Sequence, residues 1–150
     1  MREIKFRGKC KNKWVYGFLT SENFAKSTID GKTLNVHTYA INSYEEQQGP
    51  FISGDTVFVK PTMYHYVDKE TIGQYTSLKD KNGIEIYEGD IVASCGRKDL
   101  PCVVEYNQDR CEFVMRYDSD GIIHILKEFQ NSYEVIGNIH DNPELLEVEE

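Results

Sequence analysis

Cys102 and His124 are the residues whose types come nearest to nucleophilic chemistry, because an imidazole within hydrogen-bond reach turns a thiol into an attacking thiolate. A second set, Glu88 and Asp90 beside His65 or His124, could divide general acid and general base work between them. No motif carries either set. The four cysteines, Cys10, Cys95, Cys102 and Cys111, lie 85, 7 and 9 residues apart, without the C-x-x-C spacing that zinc or dithiol chemistry uses. His37, His65, His124 and His140 are equally scattered. The sequence contains no G-x-G-x-x-G or G-x-x-x-x-G-K phosphate loop, no serine nucleophile elbow and no H-E-x-x-H. The expectation is a chain without catalytic, cofactor or metal residues, whose cysteines are free thiols. An enzyme would have to assemble its groups from separate strands.

Charge offers a contact surface instead. The formal charge is -8, yet in the first 13 residues Arg2, Lys5, Arg7, Lys9, Lys11 and Lys13 stand against Glu3 alone, a local +5 that leaves -13 for the remainder. An acidic body opposes wrapping nucleic acid over a wide surface, since phosphate contacts supply most of that affinity. A small basic patch, or unlike ends meeting in a homo-oligomer, is compatible with the pattern. No apolar run follows the first charges, so neither a secretory signal nor a membrane anchor is expected, and a cytoplasmic location follows.

The elements that position these residues read as strands. Ten Tyr and seven Phe, with β-branched residues at most other apolar positions, favour sheet over helix. In "EIKFRGKC" Ile4, Phe6 and Cys10 fall on one face and Lys5, Arg7 and Lys9 on the other; "WVYGFL" aligns Trp14, Tyr16 and Phe18. A two-residue turn at Lys11-Asn12 would set Lys9 opposite Trp14 and mix the faces. A loop of Lys11, Asn12 and Lys13 sets Cys10 opposite Trp14 and Phe6 opposite Phe18, and leaves a solvent-facing basic ladder; this register is the expectation.

The order Asp80, Lys81, Asn82, Gly83 is that of a type I turn closed by a left-handed glycine, which faces Leu78 with Ile86 and Lys79 with Glu85. Asp118 and Gly121 repeat the device and would face Tyr117 with Ile123 and Met115 with Ile125. Neither is a calcium loop: counted from each acid the glycine is fourth rather than sixth, and position 12 is Ile91 or Phe129. Gly89 and Asp90 interrupt an apolar strand where it bends or bulges. Beyond them strands are expected near 90–95, 102–106, 111–117, 122–127 and 133–137, a meander of the size of a small SH3-like barrel. Helical turns are expected near "SYEEQQ", "VDKETIG" and "NPELL", the last capped by Asn142 with Pro143 following. The fold class is mainly β, an N-terminal β-hairpin unit packed with a C-terminal SH3-like β-barrel. A single domain spans 1–150, with sub-units 1–70 and 71–150, the second ending in a helical turn.

Three blocks, "IKFRGKCKNKWVYG", "TIGQYTSLKDKNGIEIYEGDIV" and "YEVIGNIHDNPELLE", together resemble the YopX family of phage and prophage proteins along nearly the whole chain. That family commonly has glycine where this chain has Ser77. The resemblance implies a mainly β, self-associating accessory protein of a temperate phage or integrated element, and it carries no catalytic residues over. The reading is a non-catalytic binding module whose partner is a host or phage macromolecule or a small ligand. Its candidate contact residues are Lys5, Arg7, Lys9, Lys13, Tyr64 and Tyr66. Two alternatives stand beside it: a small hydrolase-type or ligand-sequestering counter-defence protein, and a nucleic-acid binder acting through the basic hairpin. The ladder register counts against the last, because it turns Trp14 and Phe6 away from the basic face.

Overall fold

Alternating apolar and polar residues, rich in β-branched and aromatic side chains, make strands of nearly every described segment. The computed structural model describes residues 3–29, 32–43, 51–53, 56–58, 63–94, 97–117, 123–126 and 132–147, and the chain divides into an N-terminal unit, Lys5–Ile72, and a C-terminal unit, Met1–Ile4 with Gly73–Glu150.

In the N-terminal unit β1 (Phe6–Cys10), β2 (Lys13–Ile29) and β3 (Lys32–Ser43) run antiparallel. A short pair, β4 (Phe51–Ser53) and β5 (Thr56–Phe58), stands apart from them, and β6 (Met63–Val67) adds to β3, giving the order β6-β3-β2-β1. The chain then makes a 3-10 turn, Lys69–Thr71, capped by the Asp68 carboxylate, which accepts the Glu70 N–H. This turn returns to β1. Lys9 donates its N–H to Thr71 Oγ1 at 2.8 Å and its carbonyl accepts from Asp68 N–H at 2.9 Å.

The register of the first hairpin differs from the sequence expectation. Lys9 faces Trp14, Arg7 faces Tyr16 and Cys10 faces Lys13, so Lys11-Asn12 is a two-residue turn with Lys11 at a φ of 58°. The physical reason is twofold. Lys9 directs both backbone groups to the Asp68–Thr71 turn, which makes Lys9–Trp14 a non-hydrogen-bonded pair, the closer kind. The indole face then accepts two cations, with Arg7 Cζ 4.7 Å and Lys9 Nζ 5.5 Å from the ring centroid. Each contact contributes about 0.5–2 kcal/mol, enough to reverse a preference based on keeping charge and ring apart.

The C-terminal unit starts with a hairpin of β7 (Gly73–Lys79) and β8 (Glu85–Tyr87). Lys79 faces Glu85 and Tyr75 faces Tyr87, but Leu78 and Ile86 are not a ladder pair: the register shifts between the two pairs, where Ser77 takes a φ of 67°. Thr76 spans this bulge, donating its hydroxyl to Ile86 C=O at 2.8 Å and accepting Leu78 N–H at 3.2 Å. Strands β9 (Asp90–Ser94), β10 (Arg97–Asn107), β11 (Glu112–Tyr117), β12 (Ile123–Ile125) and β13 (Tyr133–Asn138) form an antiparallel sheet in the order β12-β11-β10-β9-β13. Among the described residues no ladder joins β12 to β13 to close it.

The β11–β12 register is one residue from the expected one: Met115 faces His124 and Arg116 faces Ile123. The turn that sets it, with Asp118 and Gly121, lies outside the described residues, as does most of "SYEEQQ". One core cluster joins Ile86, Val92, Cys102, Val104, Phe113, Met115 and Leu126, with Leu78, Tyr117, Tyr133 and Val135 packed against it. Each large apolar side chain buried there stabilises the unit by about 1.5–3 kcal/mol. A final 3-10 turn, Pro143–Leu146, has proline in its first turn. Asn142 stands at its N-cap position without a side-chain cap bond; its Oδ1 accepts the Asn138 N–H instead.

Candidate functional site: an aromatic and basic sheet face

Directly opposed residues of a sheet share a side, so the ladders fix which residues line each face of the N-terminal unit. Tyr64 faces Asn42, which faces Phe18; Tyr66 faces Ala40, which faces Thr20; Tyr16 faces Arg7 and Trp14 faces Lys9. One side therefore carries Arg7, Lys9, Trp14, Tyr16, Phe18, Asn42, Tyr64 and Tyr66. The other carries Gly8, Val15, Ile41, His65 and Val67, with Ile41 fully buried and Gly8 pressed against Val67.

The aromatic side is exposed at its rings and closed at its floor. Tyr16 and Phe18 are each 48% exposed, Tyr64 54% and Tyr66 56%, whereas Asn42 between them is 4% and Arg7 7% exposed. Gly17 lets β2 approach β3 here. Its φ of 155° lies in a region open to glycine, and a Cβ there would collide with the Asn42 carbonyl oxygen. The Asn42 carboxamide is oriented by its neighbours. Thr20 donates its hydroxyl to Ala40 C=O, leaving its oxygen to accept from Asn42 Nδ2 at 3.0 Å, and Nδ2 also reaches Phe18 C=O at 3.5 Å. Oδ1 is then the atom left over, buried and, among the described residues, without a hydrogen-bond partner.

The residues singled out from sequence separate on this frame. Lys5 precedes β1 half-buried, and Arg7 and Lys9 flank Trp14 rather than forming a solvent ladder. Lys13 is exposed and pairs with Cys10, on the opposite side from Trp14. Tyr64 and Tyr66 join the same face through β3. Sequence reasoning missed Asn42, and it placed Trp14, Tyr16 and Phe18 away from the cations. The signal was present in the alternation of "KWVYGF", but it needed the length of one turn to be read.

Asp80 and Asp90 of the C-terminal unit are bound to backbone. Asp80 is buried; its Oδ1 accepts N–H from Asn82 at 2.8 Å and Ile84 at 2.9 Å, and its Oδ2 accepts from Val135 at 3.1 Å. Gly83, at a φ of 83°, closes the turn by donating to Asp80 C=O at 3.0 Å. Gly89 has a φ of 82° and turns the chain from β8 into β9, and the buried Asp90 accepts the Tyr87 N–H at 2.7 Å. Glu88 and Asp90 belong to this unit and His65 to the other. His124 is two strands from Cys102, with β11 between them. Burial pushes the Cys102 thiol up from its ordinary value; Tyr133 is pushed up by burial and then by the Cys102 charge. A thiol with a raised pKa is the reverse of an activated nucleophile. Cys10 and Cys111 are free thiols as well. Among the described residues no three of His, Cys, Asp and Glu gather as a metal site, and no helix is long and apolar enough to cross a membrane.

A family model described as YopX protein matches residues 5–147. The chain belongs to the YopX family. Its YopX-type fold is similar to a solved structure, that of protein EF1440 from Enterococcus faecalis, with a TM-score of 0.58 and 26% identity over 98% of this chain and 100% of that one. No curated protein matches the chain. Ser77 occupies a left-handed conformation that glycine adopts without strain, and its hydroxyl donates to Glu3 C=O at 3.1 Å.

Proposed function

We propose that this YopX-family protein is a non-catalytic binding module, acting in the cytoplasm as an accessory product of a phage or prophage. The observation that carries the reading is the aromatic side of the N-terminal sheet. Tyr16, Phe18, Tyr64 and Tyr66 present rings about half exposed over a floor that contains a buried polar atom. Rigid amphipathic rings of this kind are enriched at contact surfaces. The C-terminal unit supplies the stable body. Its strand order, with β13 returning beside β9, is the order of an SH3-like barrel and supports that assignment for the unit. Native mass spectrometry of the protein from a bacterial host tests the reading against a Tyr64→Ser/Tyr66→Ser variant, whose changes are exposed. Bound mass present in the parent and absent from the variant supports it. A bare parent, or the same bound mass in both, overturns it.

Self-association is the second reading, and charge distribution favours it. The N-terminal unit has nine basic and seven acidic residues, net +2, and the C-terminal unit has eight and eighteen, net -10. Unlike units of two copies attract, and that attraction is screened by salt. Light scattering is expected to give an oligomer whose mass falls as salt is raised; a monomer at low salt refutes it.

A further inference from the structure

We propose that Asn82 is a site of spontaneous covalent modification, at which the Gly83 backbone nitrogen attacks the Asn82 carboxamide, leaves aspartate and isoaspartate in the turn, and so loosens the β7–β8 hairpin. The chemistry is independent of what the N-terminal unit binds.

Of the asparagines in the chain, Asn82 alone is followed by glycine. Asparagine is among the chemically labile residues, and the lability depends on its successor. Any other residue places a Cβ beside the nitrogen that must reach the side-chain carbon. Glycine removes that obstacle and widens the backbone range through which the approach is made. Gly83 has a φ of 83°, and a Cβ built on it would find no atom within 4 Å beyond its chain neighbours, so this side of the turn is uncrowded.

The turn also leaves the carboxamide uncommitted. Asn82 is exposed and donates its backbone N–H to Asp80 Oδ1 at 2.8 Å; among the described residues its side chain makes no hydrogen bond. Other asparagines are held by theirs. Asn138 Oδ1 accepts N–H from His140 and Asp141, each at 3.0 Å, and Asn42 is buried with its Nδ2 on Thr20. Asn12 is the internal comparison, because it too is exposed in a hairpin turn but precedes Lys13.

One bond opposes the attack: Gly83 N–H donates to the Asp80 carbonyl at 3.0 Å. The reaction therefore runs from the locally opened turn, and Lys81 to Ile84 are all exposed, where opening is easiest. The Gly83 nitrogen gives up its proton and bonds to Asn82 Cγ; the Cγ–Nδ2 bond breaks and ammonia leaves, closing a cyclic succinimide. Water then adds to either carbonyl. Opening at Cγ gives aspartate, and opening at the main-chain carbon gives isoaspartate, whose main chain runs through Cβ. No oxidant or reductant is needed. Both products gain a negative charge, and isoaspartate inserts a methylene between Asp80 and Ile84. Ile84 donates to Asp80 Oδ1 at 2.9 Å and accepts the Asp80 N–H at 2.8 Å, so the insertion displaces both bonds and the Lys79–Glu85 pair beside them.

The test holds the full chain at neutral and mildly alkaline pH and follows it by peptide mass mapping, with isoaspartate detected by enzymatic methyl labelling. The Asn82 peptide is expected to change from amide to acid before the Asn12 peptide, and faster as pH rises, because the nitrogen attacks after losing its proton. Urea should speed the change by removing the Gly83–Asp80 bond. Ion exchange should separate an isoaspartate species that unfolds at lower urea than fresh protein, and Asn82→Gln, an exposed change, should keep the fresh midpoint on ageing. An Asn82 peptide that reacts no sooner than that of Asn12, a rate indifferent to pH or to urea, or an isoaspartate species with an unchanged midpoint overturns the proposal.

Discussion

Replacing Asp80 by alanine removes one carboxylate and leaves three backbone donors, Asn82, Ile84 and Val135, without their acceptor. A hydrogen bond to a charged group is worth about 1.5–3 kcal/mol, but the Asn82 and Ile84 amides lie in exposed residues that water reaches, so about 1 kcal/mol each is the appropriate figure. Val135 is in β13 and joins the turn to the main sheet, so its bond retains about 2 kcal/mol, for a total near 4. Asp80→Asn separates the two parts. Its amide oxygen can still serve Asn82 and Ile84, while its NH2 opposes the Val135 N–H, giving a cost of about 2 kcal/mol. Urea denaturation followed by circular dichroism gives the two losses, and amide exchange by NMR locates them. In the asparagine variant only Val135 should lose protection; in the alanine variant all three should. An alanine variant within about 1 kcal/mol of the parent, or an asparagine variant as costly as alanine, would refute the reasoning.

Ser77 sits in a strand yet at a φ of 67°, so the usual β-propensity order should invert: Ser77→Gly is expected to change stability by less than about 1 kcal/mol and Ser77→Val to cost about 2, by thermal unfolding. Gly17→Ala should destabilise the N-terminal unit by about 2 kcal/mol or more, because its Cβ would collide with the Asn42 carbonyl oxygen; Trp14 fluorescence during unfolding reports it. Cys102 and Tyr133 are both held above their ordinary values of 9.0 and 10.0, so the unfolded chain loses these protons first as pH rises. Stability should be unaffected by them below pH 9 and fall above it, and Cys102→Ser should lessen the fall while costing stability at neutral pH. In the native protein a thiol reagent should modify the exposed Cys111 well before Cys102.

Local chemistry was legible in the residues themselves. Period-two alternation located the meander of the C-terminal unit, and the order Asp80 to Gly83 specified a turn closed by local bonds, from Asn82 and Ile84 to the Asp80 carboxylate and from Gly83 to its carbonyl, together with the Lys79–Glu85 pair it imposes. Proline at position 143 likewise began a short turn. These features depend on the conformational range of single residues and on partners nearby in the chain, so sequence is enough to determine them.

Register and burial were decided elsewhere. The same alternation in "KFRGKCKNKWVYGF" fits either a two- or a three-residue connection, and the choice moves every side chain to the other face. What settled it was the turn at Asp68–Thr71, whose Thr71 hydroxyl lies 62 residues from the Lys9 amide it accepts, together with an indole that accepts Arg7 and Lys9. Asn42, Phe18 and Tyr64 meet only because β3 lies between β2 and β6, a non-local pairing with no mark in any one strand. The sequence by itself determined the strands of the C-terminal meander, the Asp80–Gly83 turn and the family. Only the tertiary structure decided which rings stand beside which cations, because side-chain periodicity fixes the two faces of a strand and leaves open which of them meets its neighbour.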